Sequence, residues 1–165
     1  MDAQIFGIHH GRQICCARDP VALDELCSSS ENITGISADL GDKSETETFL
    51  AEVKNLAGGI DIVINNVGAS PSRNFLYTED QDWEDLHQLN LMSAVRCTRE
   101  FMPYMREKKW RRVVMIASSA AKYPSAALID YGATKAALIS MSKSLARKYG
   151  RDGVLVNSVL PGLIH

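Results

Sequence analysis

Five short, continuously apolar runs separated by longer helix-period segments constrain this chain more than any other feature. The runs are Arg12–Ala17 (RQICCA), Ile33–Asp39 (ITGISAD), Asp61–Asn65 (DIVIN), Val113–Ala117 (VVMIA) and Val154–Leu160 (VLVNSVL). A strand with one wet face alternates apolar and polar residues. A run apolar throughout is buried on both faces, and such strands joined by helices form a parallel sheet covered on both sides. Between the runs, Asp19-Pro20 combines a good helix N-cap with a proline tolerated at the first helical position, opening a helix to about Ser28. Ser44 with Glu47, and Thr78 with Gln81, have capping-box spacing and predict helices to about Ala57 and about Lys108. A fourth helix is predicted over Ile129–Tyr149.

Ligands of parallel sheets bind beyond the carboxyl ends of the strands. Here those ends carry Arg18-Asp19, Asp39-Leu40, Asn65–Gly68, Ser118-Ser119 and Pro161-Gly162. Polar residues and glycines therefore collect along one rim, which is the expected site.

Composition excludes several classes. The net charge is −2 and basic residues form only short groups such as Lys108-Lys109 with Arg111-Arg112, unlike the basic stripe of a nucleic-acid binder. No apolar run approaches the ~20 residues of a membrane span, and Met1-Asp2-Ala3-Gln4 does not resemble a secretory leader. Cys15, Cys16, Cys27 and Cys97 show neither metal-ligand nor disulfide spacing. Cys15 and Cys16 read as small buried hydrophobes, and a reducing, cytoplasmic setting fits. His9, His10, His87 and His165 form no ligand pattern, so no metal site is expected.

The chemistry lies in Tyr131 and Lys135, one helical turn apart, with Ser118 thirteen positions before the tyrosine. An ammonium near a phenol favours the phenolate and suits it to proton transfer near neutral pH. A strand-end hydroxyl can hold the oxygen that exchanges that proton. Ser119 is the neighbouring alternative. Tyr104 and Lys108 have the same spacing, but they follow Pro103 with no serine-tipped strand before them and read as surface decoration. Trp83, Leu86, Asn90, Ala94, Cys97 and Phe101 recur on one helix face, which places the Asn90 amide in an apolar stripe where it must find partners. A structural bridge between strands and a functional role both satisfy that requirement.

With these motifs in order, the chain resembles the short-chain dehydrogenase/reductases. Asn65-Asn66-Val67-Gly68 is similar to the family's Asn-Asn-Ala-Gly signature. Asn90, Ser118, Tyr131 and Lys135 fall where its catalytic tetrad would, and Val156-Asn157-Ser158-Val159-Leu160-Pro161-Gly162 completes the match. The resemblance implies a Rossmann-like, doubly wound α/β fold and a nicotinamide-dependent enzyme interconverting a small-molecule carbonyl and alcohol. Tyr131 would be the acid/base, Ser118 would hold the substrate oxygen and Lys135 would also bind the nicotinamide ribose. Asn90 would sit in a kinked helix whose exposed carbonyl holds a water relaying protons to Lys135. Arg18, after the second strand, suits the 2′-phosphate of NADP, while Asp19 beside it leaves NAD possible. Asp39 and Leu40 would border the adenine, Asn65 and Gly68 would allow close backbone approach, and Pro161, Gly162 and Ile164 would shape the nicotinamide pocket. For Asp39 and Pro161-Gly162, plain strand-end turn chemistry is the alternative. The resemblance also implies a homo-oligomer, dimer or tetramer, paired through the helices around Trp83–Lys108 and Ile129–Tyr149.

The front of the chain departs from the family. Gly7 and Gly11 have the first spacing of the glycine-rich phosphate turn, but Gln13 stands where its third glycine would be, and a strand follows instead of a helix. A parallel crossover needs a dozen or more residues, so residues 4–10 are expected to be the tail of a first helix. Residues 1–165 are then one incomplete domain lacking the first strand, the glycine-rich turn and the C-terminal strand. Two functions follow as expectations: an NAD(P)-dependent oxidoreductase, or a non-enzymatic remnant with impaired cofactor binding.

Overall fold

The computed structural model describes residues 4–9 and 11–162, with residues 4–6 and 9 described by their backbone only. The strands are β1 (Gln4–His9), β2 (Arg12–Ala17), β3 (Ile33–Ser37), β4 (Ile62–Asn65), β5 (Arg111–Ile116) and β6 (Val154–Val159). They form one sheet in the order β3-β2-β1-β4-β5-β6. The β2–β3, β4–β5 and β5–β6 pairs are parallel, as the continuous apolar runs require.

Residues 4–9 are a strand, which corrects the helix-tail expectation. β1 lies between β2 and β4 and runs antiparallel to both. The crossover argument holds only for a parallel connection. An antiparallel one needs no more than a tight turn, and Gly11, at φ +80°, supplies the backbone conformation that side chains disfavour. The register shifts by a bulge between Ile5 and Gly7. At Gly7 the strand passes close to Ile60, whose Cδ1 would lie 3.0 Å from an added Cβ.

Helices α1 (Pro20–Ser28), α2 (Lys43–Ala57), α3 (Asp80–His87), α4 (Ser93–Lys108) and α5 (Ile129–Tyr149) flank the sheet. The larger core gathers Val63, Val113, Met115 and Val154 of the sheet with Phe49 of α2, Phe101 and Met105 of α4, and Leu138 of α5. A smaller core on the opposite face sets Leu23 of α1 against Cys15 and Ala17. The two adjacent cysteines thus point to different faces, as alternation along a strand demands, and both are buried.

The helix starts differ from the capping pattern. α1 begins as expected, with the Asp19 carboxylate accepting from the Val21 amide. α2 is capped by Asp42, whose Oδ1 accepts from the Glu45 amide at 2.8 Å, so Ser44 is already helical. α3 is opened by Glu79 with Asp82 in reciprocal contact, while Thr78 donates its hydroxyl to the Asn74 oxygen and closes the short 3-10 turn Phe75–Tyr77. In both cases an acidic side chain offers the amides a charged acceptor and displaces the hydroxyl. The long helix predicted to Lys108 is interrupted by a π-helical turn, Gln88–Met92, between α3 and α4. Tyr104 is half-buried against Gly59, where a Cβ would collide with its ring, and carries Lys108 and Arg111 at 5.7 and 5.1 Å from the ring centre. It is a packing residue, not surface decoration. Its neighbour Arg111 opens β5, which puts the pair at the rim opposite the expected site.

Candidate functional site

Ser118 lies just beyond β5 in extended backbone, with φ −163°, and its Oγ accepts from the Ala120 amide at 3.2 Å. That bond opens the 3-10 turn Ser119–Ala121. α5 packs on this turn at Gly132, where a Cβ would sit 3.3 Å from the Ala120 oxygen. The missing side chain lets the first turn of α5, with Tyr131, come down onto the turn that the serine opens.

Lys135 is 3% exposed, although most lysines keep their ammonium in water. Its Nζ donates to the main-chain oxygen of Ile116 at 2.9 Å and lies 5.8 Å from the centre of the Tyr131 ring. Burial disfavours the charged form and lowers its pKa to about 8. Tyr131 and Lys135 thus lie against the end of β5, next to the turn that Ser118 opens. A phenol beside a buried ammonium can exchange a proton with a ligand oxygen.

Asn90 sits in the π-helical turn and is fully buried. Its Oδ1 accepts from the Ala69 amide at 2.8 Å, and its Nδ2 donates to the Ala69 oxygen at 3.0 Å and to Thr134 Oγ1 at 3.1 Å. The side chain therefore bridges the segment after β4 to α5. A π turn loosens the regular ladder of helical hydrogen bonds. Gly68 makes the meeting possible: a Cβ there would lie 2.9 Å from Asn90 Oδ1 and 3.0 Å from Lys135 Nζ.

At the ends of β2 and β3 a cavity of about 280 Å³ is lined by Cys16, Arg18, Asp39, Leu40, Gly68 and Leu89, among others. Arg18 and Asp39 form an ion pair at 3.7 Å across its mouth. Four of the expected cofactor residues, Arg18, Asp39, Leu40 and Gly68, therefore share one hollow. Asn65 does not line it: its Nδ2 donates to Thr98 Oγ1 at 3.0 Å and to Met115 Sδ at 3.2 Å, inside the core. The Pro161 oxygen accepts from the Ser119 amide at 2.9 Å, joining the ends of β5 and β6, and Gly162 is exposed beside it. Ile164 falls outside the described residues. Burial raises the pKa of the Cys16 thiol to about 12, so it lines the hollow as a neutral group. Among the described residues no group of three or more His, Cys, Asp or Glu could hold a metal, and no helix is long and apolar enough to cross a membrane.

Three buried or half-buried residues of the site were not singled out from the sequence. Thr134 donates to the Tyr131 oxygen at 2.8 Å while receiving Asn90, and Arg73 and Asp130 form an ion pair at 3.0 Å. A buried polar residue next to the Tyr131 motif was the available signal for Thr134 and Asp130. Nothing local marks Arg73.

Fold and topology together define a Rossmann-like α/β protein whose buried Lys135 sits at the carboxyl rim of its sheet. The short chain dehydrogenase model matches residues 8–165, and the chain belongs to that family, a family of oxidoreductases. It is 39% identical over 140 residues to the uncharacterized oxidoreductase YvrD of Bacillus subtilis, covering 85% of this chain and 52% of the relative. It is 33% identical over 130 residues to the 3-oxoacyl-[acyl-carrier-protein] reductase FabG of Haemophilus influenzae, covering 79% of this chain and 54% of the relative. The L-sorbose reductase of Gluconobacter frateurii, solved with NADPH and L-sorbose, superposes with a TM-score of 0.87 at 29% identity, over 92% of this chain and 60% of that one. The chain thus spans about half the length of the curated relatives it matches.

The family implies a nicotinamide dinucleotide, and the described residues fit its two ends unequally with its middle. The hollow beside Arg18 and Asp39 suits an adenosine, and Tyr131 with Lys135 suits a ribose hydroxyl. Pyrophosphate normally needs the amides of a helix N-terminus after the first strand. Here β1 points the other way, with Gln4 beside Cys16 at the site rim and the Gly11 turn at the far rim. Among the described residues no strand–turn–helix follows β1 at the site.

Proposed function

We propose that this chain is the catalytic part of an NADP(H)-dependent oxidoreductase interconverting a small-molecule carbonyl and alcohol. The observation that carries this reading is the buried ammonium of Lys135, held between the end of β5 and the Tyr131 ring. Tyr131 is the general acid/base at the carbonyl oxygen. Ser118 donates a hydrogen bond to that oxygen and fixes its position. Lys135 faces the Tyr131 ring and binds the nicotinamide ribose, and Asn90 anchors the π-helical turn beside it. The nicotinamide supplies the hydride. Arg18 favours a 2′-phosphate, with NAD as the alternative. Asp39 and Leu40 border the adenine, Gly68 admits close approach, and Pro161 and Gly162 shape the nicotinamide side.

Residues 1–165 read as one dinucleotide-binding and catalytic domain. Its thiols suit a reducing, cytoplasmic setting. An apolar groove between α4 and α5, lined by Val95, Met102, Met141, Leu145 and Tyr149, is the face assigned to a homo-oligomer.

The orientation of β1 favours a second reading, in which phosphate binding is too weak for turnover and the chain is a non-enzymatic relative. NADPH oxidation followed at 340 nm over a panel of ketones and aldehydes separates the two. The enzymatic reading expects turnover that Tyr131→Phe lowers by a factor of about a hundred or more. Turnover retained by Tyr131→Phe refutes the acid/base assignment.

A further inference from the structure

α5 carries Tyr131 and Lys135, yet it starts without a side-chain cap: the Leu128 position supplies none. Its first turn is held from outside. Asp130, 4% exposed, accepts from the Tyr131 amide through Oδ1 at 2.8 Å and from Arg73 Nη1 through Oδ2 at 3.0 Å. The same guanidinium reaches the first turn of α3, with Nη2 at 3.2 Å from Asp82 Oδ1 and Nη1 donating to the Asp82 oxygen at 3.4 Å. Asp82 in turn accepts from the Glu79 amide at 3.0 Å and closes the capping box of α3. α3 leads directly into the π-helical turn with Asn90.

One planar fork therefore joins the start of α5, which carries Tyr131 and Lys135, to the start of α3, which leads into the turn with Asn90. Arg73 lies four residues after Ala69, which Asn90 grips from the other side. The segment 69–73 is thereby pinned at both ends across α3 and α5.

We infer that Arg73 is a positioning residue, which sets Tyr131 and Lys135 relative to Asn90 by pairing with Asp130 and Asp82 together. The inference rests on the proposed role of Tyr131. A guanidinium is needed because two carboxylates at different angles and a carbonyl must be met by one rigid group, which an ammonium cannot do. Asp130 gives the arrangement consequence. A carboxylate this buried, without its cation, must be neutralised or draw in water, and either moves the backbone one residue from Tyr131.

The test compares Arg73→Gln, Arg73→Lys, Asp130→Asn and, as a control, Val53→Ala, a truncation on the buried face of α2. Arg73→Gln is expected to lower kcat about tenfold to a hundredfold, the scale of a small displacement of catalytic groups, with KM within about threefold. Arg73→Lys should recover only part of the loss. Arg73→Gln combined with Asp130→Asn should lose less than the sum of the two. Val53→Ala should lower the thermal midpoint while leaving kcat unchanged. Equal kcat in Arg73→Gln and wild type, or full rescue by lysine, overturns the inference.

If the wild type turns over no carbonyl, the proposed function fails, and positioning is judged separately. Burial lowers the pKa of Lys135 to about 8, and ¹³C-methyl labelling of the lysines follows its titration midpoint. It should rise by roughly one unit in Arg73→Gln as water reaches the loosened helix start. An unchanged midpoint then overturns the inference as well.

Discussion

Lys135 Nζ and the carbonyl oxygen of Ile116 lie 2.9 Å apart, so the last residue of β5 holds the buried ammonium in place. The bond fixes the nitrogen but leaves it with little water, and burial brings its pKa down from 10.5 to about 8.

That shift makes stability depend on pH. The folded state releases the proton near pH 8, the unfolded chain only near 10.5, so between those values the unfolded state binds more protons and stability rises with pH. Below pH 8 both states are charged and the burial penalty is present in full. Lys135→Met should remove the slope, narrowing the difference from wild type by roughly 3 kcal/mol between pH 8 and 10.5. Urea unfolding of both proteins at several pH values in that window measures it, and parallel curves would contradict it.

Gly68→Ala should displace Lys135. The added methyl would meet Asn90 Oδ1 at 2.9 Å and Lys135 Nζ at 3.0 Å, and the asparagine is tied by three hydrogen bonds. The lysine is the group that can yield. A loss of about 1–3 kcal/mol is expected from the overpacking, together with a rise of the Lys135 midpoint as its ammonium moves towards water. Thermal unfolding and lysine titration report the two effects.

NADPH titrated against the chain by nicotinamide fluorescence should bind weakly, with Kd above ~100 µM, because β1 supplies no phosphate turn at the site. Arg18→Gln should reduce the preference for NADPH over NADH about tenfold, the strength of one hydrogen bond to a charged group. Clear micromolar binding would show that another part of the rim holds the phosphates.

The opposite rim provides a test of the backbone. Lys109 ends α4 at φ +56°, in the left-handed region, and Gly153 at φ +80° lies so close that a Cβ would collide with the Lys109 oxygen. Lys109→Gly should stabilise by about 1 kcal/mol by relieving the side-chain penalty. Gly153→Ala should destabilise by more than that, since conformation and space both forbid the methyl. Chemical denaturation of the two variants gives opposite signs.

The parallel strands could be read from residues 12–17, 33–39, 61–65, 113–117 and 154–160 because these mainly apolar runs are separated by helix-length segments, the connection a parallel pair requires. The closeness of Lys135 to Tyr131 and to the end of β5 was legible because one helical turn and one strand end fix that neighbourhood. β1 was not, because a short mixed segment with two glycines carries no periodicity and its direction is set by pairing partners far along the chain. Capping at Asp42 and Glu79 was missed for a related reason: several acceptors lie within three residues, and three-dimensional competition chooses among them. The Arg73 clasp joins positions 73, 82 and 130, whose proximity exists only once α3 and α5 have packed.

The reversed course of β1 separates two properties that a central strand usually delivers together. Backbone pairing with β2 and β4 is met in either direction, whereas an anion cradle depends on which rim the following connection faces. A hairpin in that slot preserves the order of the sheet while its turn faces the far rim, so mechanical continuity and ligand affinity can change independently in this architecture.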